Sequence, residues 1–203
     1  MSASTPWNSK KYEGAAKNPL VGLLVWNFFR TIGSLWPSEV SSVLDAGCGA
    51  GHALHRLASF LPDDVIGIDL DDNEVKICQQ RFPEYVFLRA DIGELPFEDD
   101  QFDLVLCLEV LEHLESPSKA LRELERVSAR WVILSVPFEP WFQLGSLLRG
   151  KYLRTLGNHP EHIQHWNRRT FCDFIEKHSD MKVRRCLVAF PWVAVLCQAP
   201  AVR

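Results

Sequence analysis

No cysteine pair with C-x-x-C spacing and no H-E-x-x-H run occurs in the 203 residues, so nothing in the sequence supports a structural zinc site. Internal repeats and low-complexity tracts are missing as well. The six cysteines (48, 78, 107, 172, 186 and 197) are scattered, and Cys48, Cys107 and Cys186 sit in apolar runs. A chain of this length buries roughly 70% of the surface it exposes when unfolded. It needs no disulfide to hold a core, and buried free thiols in a reducing cytosol are expected. A basic excess is lacking: the net charge of −4 and pI of about 6.0 argue against a globally basic nucleic-acid binder. Long hydrophobic runs are lacking too. The apolar stretch 20–36 has 17 residues, contains Asn27 and Arg30, and stops at Pro37. That is marginal for a bilayer span and better suited to a packed or interfacial helix. The first 19 residues hold no apolar core of a secretory leader, so a cytoplasmic protein is expected.

What remains is the composition of one folded domain. Hydrophobic residues make up 47% and charged residues 24%, which excludes bulk disorder. Charge is segregated. Residues 38–130 hold 20 Asp and Glu against 8 Lys and Arg, while the flanks together are basic. All seven tryptophans lie in the flanks. The division suggests a binding half, 38–130, wrapped by elements that face a second substrate. Residues 1–37 are expected to form an N-terminal helical cap. Residues 38–203 are expected to form the main domain, with a substrate-side insert at about 138–168.

From Ser42 onward, strand-like and helix-like segments alternate. Strands are expected at 43–47, 65–69, 85–90, 102–108 and 131–136, and helices at 51–60, 71–81 and 118–129. The run FDLVLCL at 102–108 is apolar at nearly every position, as in a strand covered on both faces. Such alternation implies a parallel sheet with right-handed crossovers, a doubly wound α/β fold. Ligands of these sheets sit at the carboxyl ends of the strands, so the residues just after each strand carry the functional information.

After the first strand stands Asp45-Ala-Gly47-Cys-Gly49-Ala-Gly51. Three glycines at alternate positions let the main chain turn tightly and approach a ligand closely, and the helix start that follows can offer N–H groups to a carboxylate. The spacing G-x-G-x-G differs from the dinucleotide fingerprint G-x-G-x-x-G. Asp69 ends the second strand and is placed to accept hydrogen bonds from ribose hydroxyls. Asp91 follows the third strand, with Ile92 placed to pack on a purine ring.

In order along residues 41–137, VLDAGCGAGH, VIGIDLDDN and RADIGELPFEDDQFDLVLCLEVLEHL resemble the motifs of the class I S-adenosylmethionine-dependent methyltransferases. The nearest flavour is the type 11, ubiquinone-pathway O-methyltransferase group. The resemblance implies a Rossmann-like seven-stranded sheet, mostly parallel with the last strand antiparallel, closed by a hairpin over 181–187 and 192–198. It implies S-adenosylmethionine as cofactor, with Gly47, Gly49 and Gly51 at its methionine part and Asp45 supporting the loop and the amino group. Asp69 and Leu70 then lie at the ribose, Asp91 and Ile92 at the adenine, and Leu108 against the cofactor.

Two further groups bear on the acceptor. Glu109, Glu112 and His113 follow the fourth strand with i, i+3, i+4 spacing. On a first helical turn they would share one face and could bind a divalent cation, Mg²⁺ before Zn²⁺. The E-x-x-E-H pattern resembles metal sites of ubiquinone-pathway and small-RNA methyltransferases. Otherwise Glu109 and His113 are candidates for acceptor chemistry in their own right. The stretch NHPEHIQHW places His159, His162 and His165 at three-residue spacing, with His162 the choice for a catalytic base. The flanks pair aromatic with basic residues, which suits a cap over the cofactor, a hydrophobic acceptor pocket or peripheral membrane contact. In the helix 20–36 the expected apolar face is Leu20, Leu23, Leu24, Phe28 and Ile32.

The sequence therefore predicts methyl transfer to a small, lipophilic acceptor, with oxygen ahead of carbon or nitrogen as the nucleophile. A metal-assisted RNA 2′-O-methyltransferase, a nicotinamide-dependent enzyme and a non-catalytic cofactor-binding partner subunit are the competing readings. The overall charge counts against the first and the glycine spacing against the second. The sequence is silent on oligomeric state.

Overall fold

The computed structural model describes residues 18–139 and 163–201. Helix α1 (Pro19–Leu35) starts where the Asn18 side chain accepts a hydrogen bond from the Leu20 N–H, with Pro19 in its first turn. It stops at Trp36, ahead of Pro37. The alternating units follow: β1 (Ser42–Ala46), α2 (His52–Arg56), β2 (Asp64–Asp69), α3 (Asp72–Arg81), β3 (Val86–Arg89), β4 (Phe102–Leu108), a 3-10 turn (Leu111–His113), α4 (Pro117–Arg126), β5 (Ser128–Pro137), α5 (Arg168–His178), β6 (Lys182–Ala189) and β7 (Trp192–Gln198). The seven strands form one sheet in the order β3-β2-β1-β4-β5-β7-β6. β7 alone runs antiparallel to its neighbours, β5 and β6. The strand order reverses between β1 and β4, which both pair in parallel with the strands around them.

The near-continuous apolar strands are explained by burial on two sides. In β4, Leu104 and Leu106 pack with α1, α2 and α3 residues such as Ile32, Leu54 and Val75. Val105 and Cys107, which alternate with them, pack with Leu121 and Leu124 of α4 and Phe171 and Ile175 of α5. All six thiols are free; Cys48, Cys78, Cys107 and Cys197 are buried, and Cys172 and Cys186 are partly buried.

Several boundaries differ from the sequence expectation. α2 ends at Arg56 rather than Phe60, because Leu57 leaves the helical region and caps the turn. α4 ends at Arg126, since β5 already begins at Ser128 and takes the residues that a longer helix would need. In α1 the buried face is Val25, Phe28, Phe29, Ile32 and Leu35, while Leu20 and Leu23 are exposed. The helix lies on β6 and β7 rather than standing apart, with the Phe28 ring 5.0 Å from Trp192 and the Arg185 side chain donating to the Ser34 carbonyl at 2.6 Å. Among the described residues no helix is long and apolar enough to cross a membrane.

Candidate active site

The carboxyl ends of the first four strands surround a cavity of about 310 Å³. It is lined by Asp45, Gly47 and Gly49 from β1 and its loop, by Asp69 and Leu70 after β2, and by Asp91 and Ile92 after β3. Leu108, Glu109, Val110 and His113 line it from the β4 side. The residues singled out as cofactor-binding thus meet in one hollow, apart from Gly51, whose neighbours Ala50 and His52 line it while its own Cα faces Phe82 and Cys78.

The loop after β1 is held from beneath. The Gly47 and Cys48 N–H groups both donate to the Ile68 carbonyl at 2.8 Å, and the Gly51 N–H donates to the Cys48 carbonyl at 3.0 Å. The Cys78 thiol donates to the Gly49 carbonyl at 3.0 Å and Arg81 donates to the Ala50 carbonyl at 2.6 Å. All three loop glycines have positive φ, the left-handed region that residues with a Cβ avoid. At Gly47 an added Cβ would fall 2.4 Å from Val110 Cγ2, whereas at Gly49 it would meet nothing within 4 Å.

The acids divide the work. Asp69 accepts the Gly49 N–H at Oδ2 and the Asp71 N–H at Oδ1, each at 2.9 Å. A carboxylate has about four acceptor sites, so both oxygens keep capacity toward the cavity. Asp91 Oδ1 accepts the Gly93 N–H at 2.8 Å, fixing the turn that presents Ile92. This turn is braced from below: Glu123 accepts the Leu95 N–H at 2.8 Å, and Arg126 donates to the Leu95 and Phe97 carbonyls at 3.0 and 2.8 Å. Asp45 is buried, with 1% exposure, and its Oδ2 has no hydrogen-bond partner among the described residues. Burial, aided by the charge of Asp69, pushes its carboxyl up from 3.8 to about 7.

On the β4 side the expected helical turn does not form. Glu109 adopts φ +61°, and the residues after it make a 3-10 turn over Leu111–His113. The left-handed residue rotates Glu109 away from the register of Glu112 and His113, so the three do not share a helical face. Glu109 turns toward β5, accepting the Ser135 hydroxyl at 2.9 Å; Glu112 is buried with His113 Nε2 3.7 Å from its Oε1. Among the described residues no group of three or more His, Cys, Asp or Glu is arranged to hold a metal ion. His159 and His162 lie outside the described residues. His165 is described, 3.8 Å from the buried Glu139 carboxylate and outside the cavity lining.

Residues 44–132 match the family model described as a methyltransferase domain. Over 85 residues, 42% of this chain and 31% of the relative, the chain is 35% identical to a probable S-adenosylmethionine-dependent methyltransferase of Mycobacterium tuberculosis. It is 36% identical to the chloroplastic tocopherol O-methyltransferase of Arabidopsis thaliana over 97 residues, 45% of this chain and 28% of the relative. The fold matches a Haloferax volcanii methyltransferase solved in complex with the Trm112 methyltransferase activator, with a TM-score of 0.73, 16% identity, and coverage of 95% of this chain and 97% of that one. Residues 44–132 are thus similar to the methyltransferase domain of S-adenosylmethionine-dependent enzymes, and the fold is the one such enzymes share. The match spans about a third of the length of each of these two curated relatives.

The cavity has a chemistry that fits S-adenosylmethionine, the cofactor named for the relatives. S-adenosylmethionine carries an ammonium, a sulfonium and a carboxylate, hence a net positive charge. Asp45, Asp69, Glu74, Asp91 and Glu109 all line the cavity, and no Lys or Arg is among the described lining residues. The orphaned oxygen of Asp45 is an acceptor without a donor, and Gly49 leaves open the space that a side chain would fill.

Of the cavity lining, sequence reasoning named Phe28 on the expected apolar face of the cap helix but missed Phe29, Glu74 and His52. Phe28 and Phe29 of α1 close one side of the cavity, and Glu74 of α3 and His52 of α2 complete the wall around the glycine loop. The spacing of Val25, Phe28, Phe29, Ile32 and Leu35 was the available signal for Phe29. Ser135, which pins Glu109, carried no local signal beyond being polar in the run VILSVP.

Proposed function

We propose that the chain transfers a methyl group from S-adenosylmethionine to a small, lipophilic acceptor, with a hydroxyl oxygen favoured as the nucleophile. The observation that carries this reading is the strand order. It ranks Asp91, Asp69 and Asp45 along β3-β2-β1, and puts Glu109 and His113 beyond them after β4. The bound cofactor supplies an electrophilic methyl group on a sulfonium, and the protein's part is positioning and exclusion of water.

In this reading Asp45 faces the ammonium, Asp69 accepts the ribose hydroxyls, and Leu70 and Ile92 enclose the adenine that Asp91 marks. Leu108 packs against the cofactor. The rings of Phe28 and Phe29 make an apolar wall that suits a lipophilic acceptor and keeps water out. Tocopherol, the acceptor named for the Arabidopsis relative, is of that class. A hydroxyl must lose its proton as it attacks. His113 lines the cavity with the Glu112 carboxylate 3.7 Å behind its Nε2, an arrangement that favours an imidazole accepting a proton. A metal-assisted RNA methyltransferase ranks lower, because the described lining holds five acids and no Lys or Arg and so repels phosphate.

Calorimetry tests the cofactor assignment. S-adenosylmethionine and S-adenosylhomocysteine are expected to bind and NAD to fail. Asp69→Ala is expected to weaken both adenosyl ligands at least tenfold, since hydrogen bonds to a charged acceptor contribute about 1.5–3 kcal/mol. Unchanged affinity in a folded Asp69→Ala variant, confirmed by its thermal melt, contradicts the assignment.

A second reading rests on the outer face of α1. Leu20, Leu23 and Trp26 are 63%, 58% and 54% exposed, and the Arg30 guanidinium lies 5.3 Å over the Trp26 ring. An apolar stripe with a basic residue and a tryptophan suits contact with an anionic lipid surface. Vesicles of phosphatidylglycerol and phosphatidylcholine are expected to carry the protein upward in flotation at low salt. The double variant Leu23→Ser, Trp26→Ala is expected to stay behind. Failure of the wild type to float at either low or high salt rejects membrane contact.

A further inference from the structure

Two of the free thiols meet at the glycine loop. Cys48 belongs to the loop and lines the cavity with 5% exposure, and Cys78 of α3 is fully buried behind it. Their Sγ atoms are 4.0 Å apart, although the residues are 30 positions apart in the chain. An added Cβ at Gly51 would fall 3.1 Å from Cys78 Sγ, and one at Gly67 would fall 3.2 Å from Cys48 Sγ. The two sulfurs therefore occupy room that glycines leave. Cys78 also supports the loop directly, since its thiol donates to the Gly49 carbonyl at 3.0 Å.

A bond between these sulfurs has two direct consequences. A disulfide is about 2.05 Å long, so the pair must close by about 2 Å. The movement falls on a loop held by the Gly47 and Cys48 N–H groups at the Ile68 carbonyl. Cys78 also loses its thiol proton, and with it the hydrogen bond to the Gly49 carbonyl. We infer that Cys48 and Cys78 form a redox pair, linked by hydroperoxides when the adenosyl ligand is absent, and that the link disables the cradle at Gly49. The inference rests on the cofactor reading above. Cys48 is the attacking sulfur, because it is the one of the pair that lines the cavity. Its thiolate takes the terminal peroxide oxygen, the O–O bond breaks, and the other oxygen leaves with the thiol's proton as alcohol or water. Cys78 then attacks the Cys48 sulfenic acid; the S–S bond forms, the S–O bond breaks and water leaves with the Cys78 proton. Two electrons pass from the pair to the peroxide. The hydrogen bond from Cys78, burial and the charge of Asp45 hold the Cys48 thiol well above its usual range, so the reaction is slow and answers sustained oxidant.

The test needs no acceptor. The whole chain is treated with hydrogen peroxide, with and without saturating S-adenosylhomocysteine. Linked peptides are mapped by mass spectrometry without reduction, and affinity for S-adenosylhomocysteine is measured by calorimetry. A Cys48–Cys78 link is expected in the free protein, and about tenfold slower formation when the ligand covers Cys48 and favours the reduced loop. The linked protein is expected to bind the ligand about tenfold more weakly, and dithiothreitol to restore it. Cys48→Ala and Cys48→Ser are each expected to bind after peroxide as they do before it. No link, or a link confined to Cys172 and Cys186, overturns the inference and leaves the cofactor reading standing. A Cys48–Cys78 link with unchanged affinity does the same, as does a peroxide effect that persists in both Cys48 variants. Failure of the untreated wild type to bind S-adenosylhomocysteine overturns both.

Discussion

Asp45→Asn is expected to stabilise the free protein at pH 8 and to cost at least tenfold in affinity for S-adenosylmethionine. Both effects come from one buried carboxyl. Its value of about 7 in the fold stands against 3.8 in the unfolded chain, with burial the main cause and the charge of Asp69 second. Between these values the native state binds the proton that the unfolded state has released. Stability therefore falls as pH rises from about 4 to about 7 and is level beyond. Three units correspond to roughly 4 kcal/mol as an upper bound. Asparagine copies the neutral carboxyl, so urea unfolding is expected to show wild type and variant alike near pH 3, below both values, and the variant ahead by about 2–4 kcal/mol at pH 8. A ligand ammonium beside Asp45 restores the charged form. Affinity for the wild type is thus expected to rise with pH through 7, with proton release on binding, and calorimetry in buffers of different ionisation enthalpy reads that release directly. The Asp45 assignment fails if the variant is less stable than the wild type at pH 8, or if binding near pH 7 takes up protons.

The two loop glycines are expected to separate folding from binding. Gly47→Ala places a Cβ 2.4 Å from Val110 Cγ2 at φ +85°, so either the loop or the β4 turn must move. A loss of about 2–4 kcal/mol of stability is expected from strain and overpacking together. Gly49→Ala, at φ +49° with no atom within 4 Å of the new Cβ, is expected to lose only about 1–2 kcal/mol. Its methyl group stands in the space the cofactor needs, so its expected signature is a melt near that of the wild type with affinity for both adenosyl ligands reduced tenfold or more. If Gly49→Ala binds as well as the wild type, its Cβ points to solvent and the cradle lies elsewhere.

Much of this site was legible before any coordinates. Asp45, Asp69 and Asp91 stand at the ends of successive strands, and a parallel sheet brings successive strand ends to one edge whatever the details of packing. The strand β4 could be recognised because both faces are covered and every position but Asp103 is apolar. The E-x-x-E-H spacing named residues at the cavity but not their backbone, because the chain leaves β4 through a left-handed Glu109 into a 3-10 turn instead of a helix. Of the face expected for α1, Phe28 and Ile32 are buried, but Leu20 and Leu23 are exposed and Val25, Phe29 and Leu35 complete the buried side. Periodicity identifies an amphipathic helix, yet in a segment apolar nearly all round it leaves the buried side undetermined.

By itself the sequence determined the doubly wound architecture, the glycine cradle and the acids ranked along it, because these depend on order along the chain and on backbone rules that act locally. Only the tertiary structure decided that α1 closes the cavity with Phe28 and Phe29, that Asp45 is buried deeply enough to hold its proton near neutral pH, and that Ser135 pins Glu109 in a strained turn. Each of these joins residues far apart in the chain, and the free energy that fixes them is burial and pairing, which has no counterpart in local spacing.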